Sequence, residues 1–215
     1  WLKRLESQHP TEIDLGLERV TAVAETLDLL RDVPTTFTVA GTNGKGSVAA
    51  VLTAGLKAMG QVVGTYSSPH LLRFNERISI DEDEADDAKI VVAFEHIEAA
   101  RGDVTLTYFE SATPAALWLF RHRKVDVQVL EVGLGGRLDA VNILDADISV
   151  ITSIGLDHTD WLGPDRAAIS TEKAGIARQN RPCVVAESDP PDALIAALHH
   201  RGAHTLLLDR AGHPA

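Results

Sequence analysis

The stretch from Thr36 to Gly60, TFTVAGTNGKGSVAAVLTAGLKAMG, constrains this chain more than any other. A short β-branched run, Thr36-Phe37-Thr38-Val39, empties into Gly41-Thr42-Asn43-Gly44-Lys45-Gly46-Ser47, and a segment of helical composition follows at once. A strand, a glycine loop and a helix N-terminus in that order form a cradle for an anion. The glycines let backbone N–H groups turn inward, and the helix dipole adds positive potential. Lys45 contributes a full charge able to reach terminal phosphates, and Ser47 a hydroxyl suited to magnesium. The common pattern G-x-x-x-x-G-K-[ST] is not met, because Gly46 follows Lys45 and Val39 stands where the first glycine belongs. The plain alternative is a glycine-rich turn with a surface lysine. The order of strand, loop, lysine, hydroxyl and helix favours a nucleoside triphosphate site.

The rest of the chain alternates apolar strands with helices. Residues 1–31 read as mostly helical with a break near His9-Pro10-Thr11, and Asp14 is placed to open the longer helix and cap it. Val62 to Tyr66 reads as a strand ending in Ser67-Ser68-Pro69-His70, Leu71 to Arg77 as an ordered loop, and Ile78-Ser79-Ile80 as a short strand. The acidic run Asp81 to Asp87 reads as a solvated loop and helix start, Ala88 to Ala100 as an amphipathic helix, Thr105 to Phe109 as a strand, and Ser111 to Phe120 as a helix. Val125 to Val132 is strongly β-branched and largely apolar, the mark of a strand buried on both faces, and Ile148 to Ile154 is similar. Short helices carrying Glu172-Lys173 follow, then a strand (Cys183 to Glu187), a helix (Asp192 to His200) and a strand (His204 to Asp209). The expected fold is α/β, a mostly parallel sheet with helices on both faces.

Composition sets bounds. A chain of 215 residues, 45% hydrophobic and 24% charged, is long enough for one large domain with its own core. A net charge of −11 argues against nucleic-acid or membrane-surface partners, and no apolar run approaches a membrane span. The single cysteine, Cys183, excludes an internal disulfide, suits a reducing cytoplasm and reads as a buried small hydrophobe.

Ligands of open α/β sheets sit beyond the carboxyl ends of the strands. Gly41–Ser47, Ser67–His70, Glu131–Arg137 and Gly155–Asp160 are all expected there, around one crevice. Glu131 lies in an apolar strand end, costly for a carboxylate without a partner. Magnesium would serve, and so would Arg137. Residue type alone makes His158 an ordinary turn histidine, Lys173 a solvated partner of Glu172, and Ser68 a turn residue.

Several stretches together, DLGLERV, TVAGTNGKGS, YSSPHL, LTYFE, LEVGLGGRLDA, TSIGLDHTDWLGP and EKAGI, resemble the ATP-binding N-terminal domain of the dihydrofolate synthase/folylpolyglutamate synthase family, within the Mur-ligase superfamily. That family's loop, G-T-N-G-K-G-[ST], accounts for the unmet pattern. The resemblance implies ATP phosphates on Thr42, Asn43, Gly44, Lys45, Gly46 and Ser47. It implies two magnesium ions, with Ser68 and Glu131 on one and His158 on or near the other. Lys45, His158 and Lys173 become the catalytic residues, Lys173 falling where the family has a lysine that can be carbamylated. Pteroate or folate maps onto Asp14, Leu15, Thr107, Tyr108, Phe109, Glu110, Asp139 and Ala140.

The implied chemistry is ATP-dependent amide ligation: the γ-phosphoryl group passes to a carboxylate of dihydropteroate or a reduced folate, and the amine of L-glutamate displaces phosphate. The expected assembly is a monomer. Residues 1–209 are expected to form the Mur-ligase-like ATP-binding domain and 210–215 to begin a linker, the family's C-terminal Rossmann-like domain having no counterpart here. A peptidoglycan-precursor ligase and a non-catalytic ATP-binding module are the competing readings.

Overall fold

A computed structural model describes residues 1–208 and 213. The chain opens with two helices, α1 (Leu2–Ser7) and α2 (Glu18–Thr26), before the first strand, β1 (Thr35–Ala40). Then come α3 (Lys45–Ala58), β2 (Val63–Tyr66), β3 (Ile78–Ile80), β4 (Asp83–Glu84), α4 (Asp87–Arg101), α5 (Tyr108–Arg123), β5 (Val127–Glu131) and β6 (Ile148–Ile151). The last third holds α6 (Thr159–Leu162), α7 (Arg166–Ala174), β7 (Pro182–Val185), α8 (Asp192–His200) and β8 (His204–Leu207).

Among the described residues the strands form one sheet in the order β4-β3-β2-β5-β1-β6-β7-β8. Only the β2–β3 and β3–β4 pairs are antiparallel. The central strands carry the β-branched runs because both their faces are covered: every residue of β2 and β5 is buried, whereas β8 at the edge is largely exposed. The two faces are unequal. One large core joins Tyr66, Leu130, Ile151 and Val185 of the sheet to Val23, Phe94, Phe120 and Leu198 of helices. On the opposite face, among the described residues, α3 packs with Ala49 against Val39, Val63, Val129 and Val150.

Three local expectations are corrected. Thr105–Phe109 is not a strand, because Tyr108 already belongs to α5. Thr107 Oγ1 accepts from the Glu110 amide at 3.2 Å while the Thr107 amide donates to Glu110 Oε2 at 2.9 Å, a reciprocal cap that outweighs the β propensity of the segment. Asp14 caps no helix, since α2 begins at Glu18 without a side-chain cap. Its carboxylate pairs instead with Arg19 at 2.8 Å and His9 at 3.2 Å. The acidic run Asp81–Asp87 is not wholly loop, because Asp83-Glu84 pairs with β3. The expected linker, apart from His213, and the end of the last strand at Asp209 lie outside the described residues.

Candidate functional site

The first turn of α3 and the ends of β2, β5 and β6 meet around the expected crevice. The loop from Gly41 to Gly44 is stapled to the segment after β6. Thr42 N donates to Ser153 O at 2.8 Å, Asn43 N to Ser153 Oγ at 3.0 Å, and Thr152 Oγ1 to Asn43 O at 2.7 Å. Thr42 Oγ1 accepts from Gly155 N at 2.9 Å. Gly44 begins α3 at φ 84°, a left-handed conformation that glycine adopts without cost. Lys45 Nζ donates to Gly41 O at 3.0 Å and Thr42 O at 3.4 Å, curling over the loop. Gly46 and Ser47 stand exposed at the N-terminus of α3.

Below that turn lies a cavity of about 330 Å³, bordered by Gly46, Thr65, Ser67, Ser68, Pro69 and Glu131. The Ser68–Pro69 peptide is cis. Glu131 is 4% exposed, and among the described residues the one hydrogen bond its carboxylate receives is from Ser68 N at 3.2 Å. Burial raises its pKa; the Ser68 amide, Lys45 and Arg77 pull it back only in part. Arg137 is not its partner, because Arg137 pairs with Glu172 at 2.9 Å. A buried carboxylate lacking a bonded cation among the described residues, next to a serine and the glycine loop, fits magnesium, which takes one or two carboxylates plus phosphate oxygens and waters. Among the described residues no three His, Cys, Asp or Glu side chains form a ready-made cage. His158 is exposed, at φ 48°, with Nε2 3.7 Å from Asp157.

Lys173 departs furthest from its residue type. It is 3% exposed on α7, so it is not the solvated partner of Glu172. Desolvation, helped by Lys45, lowers its pKa to about 8, against opposing pulls from Asp157 and Asp139.

The residues mapped to pteroate gather in part. Glu110, buried inside the α5 cap, pairs with Arg19 at 2.9 Å, and Arg19 in turn holds Asp14. Leu15 is half-buried beside them in sequence. Phe109 packs on Tyr66 with ring centroids 5.6 Å apart, and a Cβ at Gly133 would strike its ring. Asp139 is buried; it accepts from Leu134 N at 2.8 Å and Val141 N at 3.1 Å, opening a 3-10 turn from Ala140 to Ile143. Burial raises its pKa to about 6. Arg19, Arg77, Thr152 and Ser153 are members of the site that sequence reading passed over. Arg19, Thr152 and Ser153 lie within stretches singled out for resemblance, but nothing local marks what they touch.

A glycine loop at a strand's carboxyl end, crossed by a lysine and facing a buried carboxylate, defines a phosphate-loop α/β domain. The family model of the Mur ligase middle domain matches residues 39–213, and the chain belongs to that family. It is 53% identical over 212 residues to the dihydrofolate synthase/folylpolyglutamate synthase of Escherichia coli K12, covering 99% of this chain and 50% of that protein. Escherichia coli FolC solved in complex with DHPP and ADP superposes with a TM-score of 0.94 at 52% identity, over 96% of this chain and 50% of that one. The bifunctional folylpolyglutamate synthase/dihydrofolate synthase of Yersinia pestis CO92, complexed with AMPPNP and Mn ion, gives a TM-score of 0.92 at 55% identity, over 98% and 52%. The chain thus spans about half the length of these relatives. No helix among the described residues is long and apolar enough to cross a membrane.

Proposed function

We propose that this chain carries the ATP- and acceptor-binding half of a ligase that joins L-glutamate to dihydropteroate or a reduced folate. The observation that carries this reading is the pairing of Lys45 over the glycine loop with buried, cation-poor Glu131 beneath it. Relatives of the same fold, solved with ADP, AMPPNP, Mn ion and DHPP, support it. A further domain closes the crevice and supplies glutamate contacts, and the enzyme works in the cytoplasm as a monomer.

In this mechanism the amides of Asn43 to Ser47 hold the β- and γ-phosphates, and Thr42 keeps the loop in shape. Lys45 leaves its two carbonyls for the γ-phosphate and offsets charge as the phosphoryl group moves to the acceptor carboxylate. Ser47, Ser68 and Glu131 would hold one magnesium ion and His158 would stand on or near a second; bound magnesium supplies charge neutralisation at the transferring phosphate. Asp14, Leu15, Thr107 to Glu110, Asp139 and Ala140 orient the pterin-bearing acceptor. Lys173, with its pKa lowered to about 8, has a neutral amine available for carbamylation near neutral pH, which turns a buried cation into an anionic acceptor.

The test is incorporation of radiolabelled glutamate by the protein at the full length of its relatives, with dihydropteroate against a UDP-muramyl acceptor. Incorporation into dihydropteroate alone is expected. Labelling of the muramyl substrate, or ATP binding with no incorporation into either, overturns the reading. The 215-residue chain alone should bind ATP weakly and ligate nothing, because water reaches any acyl phosphate formed in an open crevice.

A further inference from the structure

We propose that Arg77 grips the acceptor's carboxylate, the group to be phosphorylated, and so selects carboxylate acceptors over neutral ones; this rests on the acceptor class proposed above. Arg77 ends the 3-10 turn Phe74–Arg77 and is half-buried. Its guanidinium lies 5.4 Å from the centre of the Tyr108 ring and 6.0 Å from that of Phe74, and its Nε donates to His70 Nδ1 at 2.7 Å. Two rings and a histidine therefore hold the guanidinium in place, and among the described residues neither Nη group makes a hydrogen bond or ion pair. Among the described residues no carboxylate lies within ion-pair distance of it, in a chain with 31 Asp and Glu against 20 Lys and Arg.

The nearest candidates are already used. Glu76, next in sequence, accepts from the amides of Leu71, Leu72 and Arg73 at 2.7, 2.8 and 2.7 Å. Asp87 is taken by Arg73 and Asn75. Glu131 feels the charge of Arg77 without bonding to it. Arg77 thus stands between Tyr108, where the acceptor is mapped, and Glu131, where the phosphate end of the crevice begins. A planar fork held rigid and lacking its anion matches a carboxylate, which takes two parallel N–H bonds.

The experiment is calorimetric titration of the 215-residue chain, with ADP and magnesium, using pteroate and its neutral amide, pteroylamide. Wild type should bind pteroate at least about tenfold more tightly than pteroylamide, the difference one charge-assisted pair supplies. Arg77→Met, which keeps the stem against Tyr108 but removes the charge, should lose that preference while binding pteroylamide as wild type does. Arg77→Lys should recover part of it. Equal weakening of both ligands in Arg77→Met would mean the residue only supports the aromatic packing, and equal affinity of wild type for both ligands would also overturn the inference. Absence of any pteroate binding by wild type, with ADP still bound, would strike at the acceptor class itself. A circular dichroism spectrum matching wild type shows that each variant is folded.

Discussion

Lys45 and Lys173 feel each other's charge but sit under opposite physical regimes. Lys45 is half-exposed and rests its ammonium on two carbonyls of its own loop. Its position follows from residues adjacent in sequence, and its charge stays partly solvated. Lys173 is 3% exposed on α7, and neither Asp157 nor Asp139, the carboxylates that favour its charge, forms an ion pair with it. Lys173 is held where being a cation is costly, and with its pKa lowered to about 8 a minority of the amine is neutral at physiological pH. A local motif can place a charge, whereas only tertiary burial can change what the group is.

The comparison breaks hardest at the loop. Gly41 lies at φ 153°, and a Cβ there would overlap Thr152 Oγ1, whose hydrogen bonds to Ala40 and Asn43 carbonyls hold the cradle. Gly41→Ala should cost about 3 kcal/mol of stability by overpacking and abolish ATP binding; urea denaturation and titration calorimetry check both. Lys45→Ala should leave the denaturation curve unchanged and weaken ATP binding in magnesium about thirtyfold, the loss of one charge-assisted contact. Near-normal affinity would remove Lys45 from the phosphate site.

Lys173→Met sharpens the contrast, because its sign is reversed. The folded pKa of about 8 lies below the ordinary lysine value, so the unfolded chain binds the proton more tightly and wild-type stability should rise as pH climbs from 8 through 10.5. In bicarbonate-free buffer at pH 7 the variant should be more stable than wild type by roughly 1–3 kcal/mol, and the gap should close above pH 10. Denaturation midpoints across that range test it, and stabilisation of wild type but not Lys173→Met by added bicarbonate would mark carbamylation.

Glu131→Gln keeps the shape but removes the charge a divalent cation would offset, so the magnesium needed for half-maximal ATP binding should rise about tenfold. The smallest effect belongs to Arg137→Ala. Its pair with Glu172 is half-exposed, so the expected loss is no more than about 0.5 kcal/mol. The magnesium titration of Arg137→Ala should match wild type; a shift would restore Arg137 as the partner of Glu131.

The alternation of apolar strands and helices, the parallel sheet and the strand–loop–helix cradle were legible in the residues, because each rests on contacts between near neighbours or on a period repeated along the chain. The helix start at Thr107 was missed, the segment reading as a strand, although the T-x-x-E spacing of Thr107 and Glu110 carries a capping signal. Other features needed the fold. Arg137 turns to Glu172 and away from Glu131, since α7 packs over the glycines after β5: a Cβ at Gly136 would press on the backbone oxygens of Glu172 and Lys173. The same packing buries Lys173 and lowers its pKa. Arg77 is left without a carboxylate because Glu76 spends its own on three backbone amides. Sequence by itself determined the period and the glycine loop, both set by sterics and hydrogen bonds within a few residues. Tertiary structure alone decided which charges are paired and which are desolvated, because both depend on groups far apart in the chain arriving at the same place.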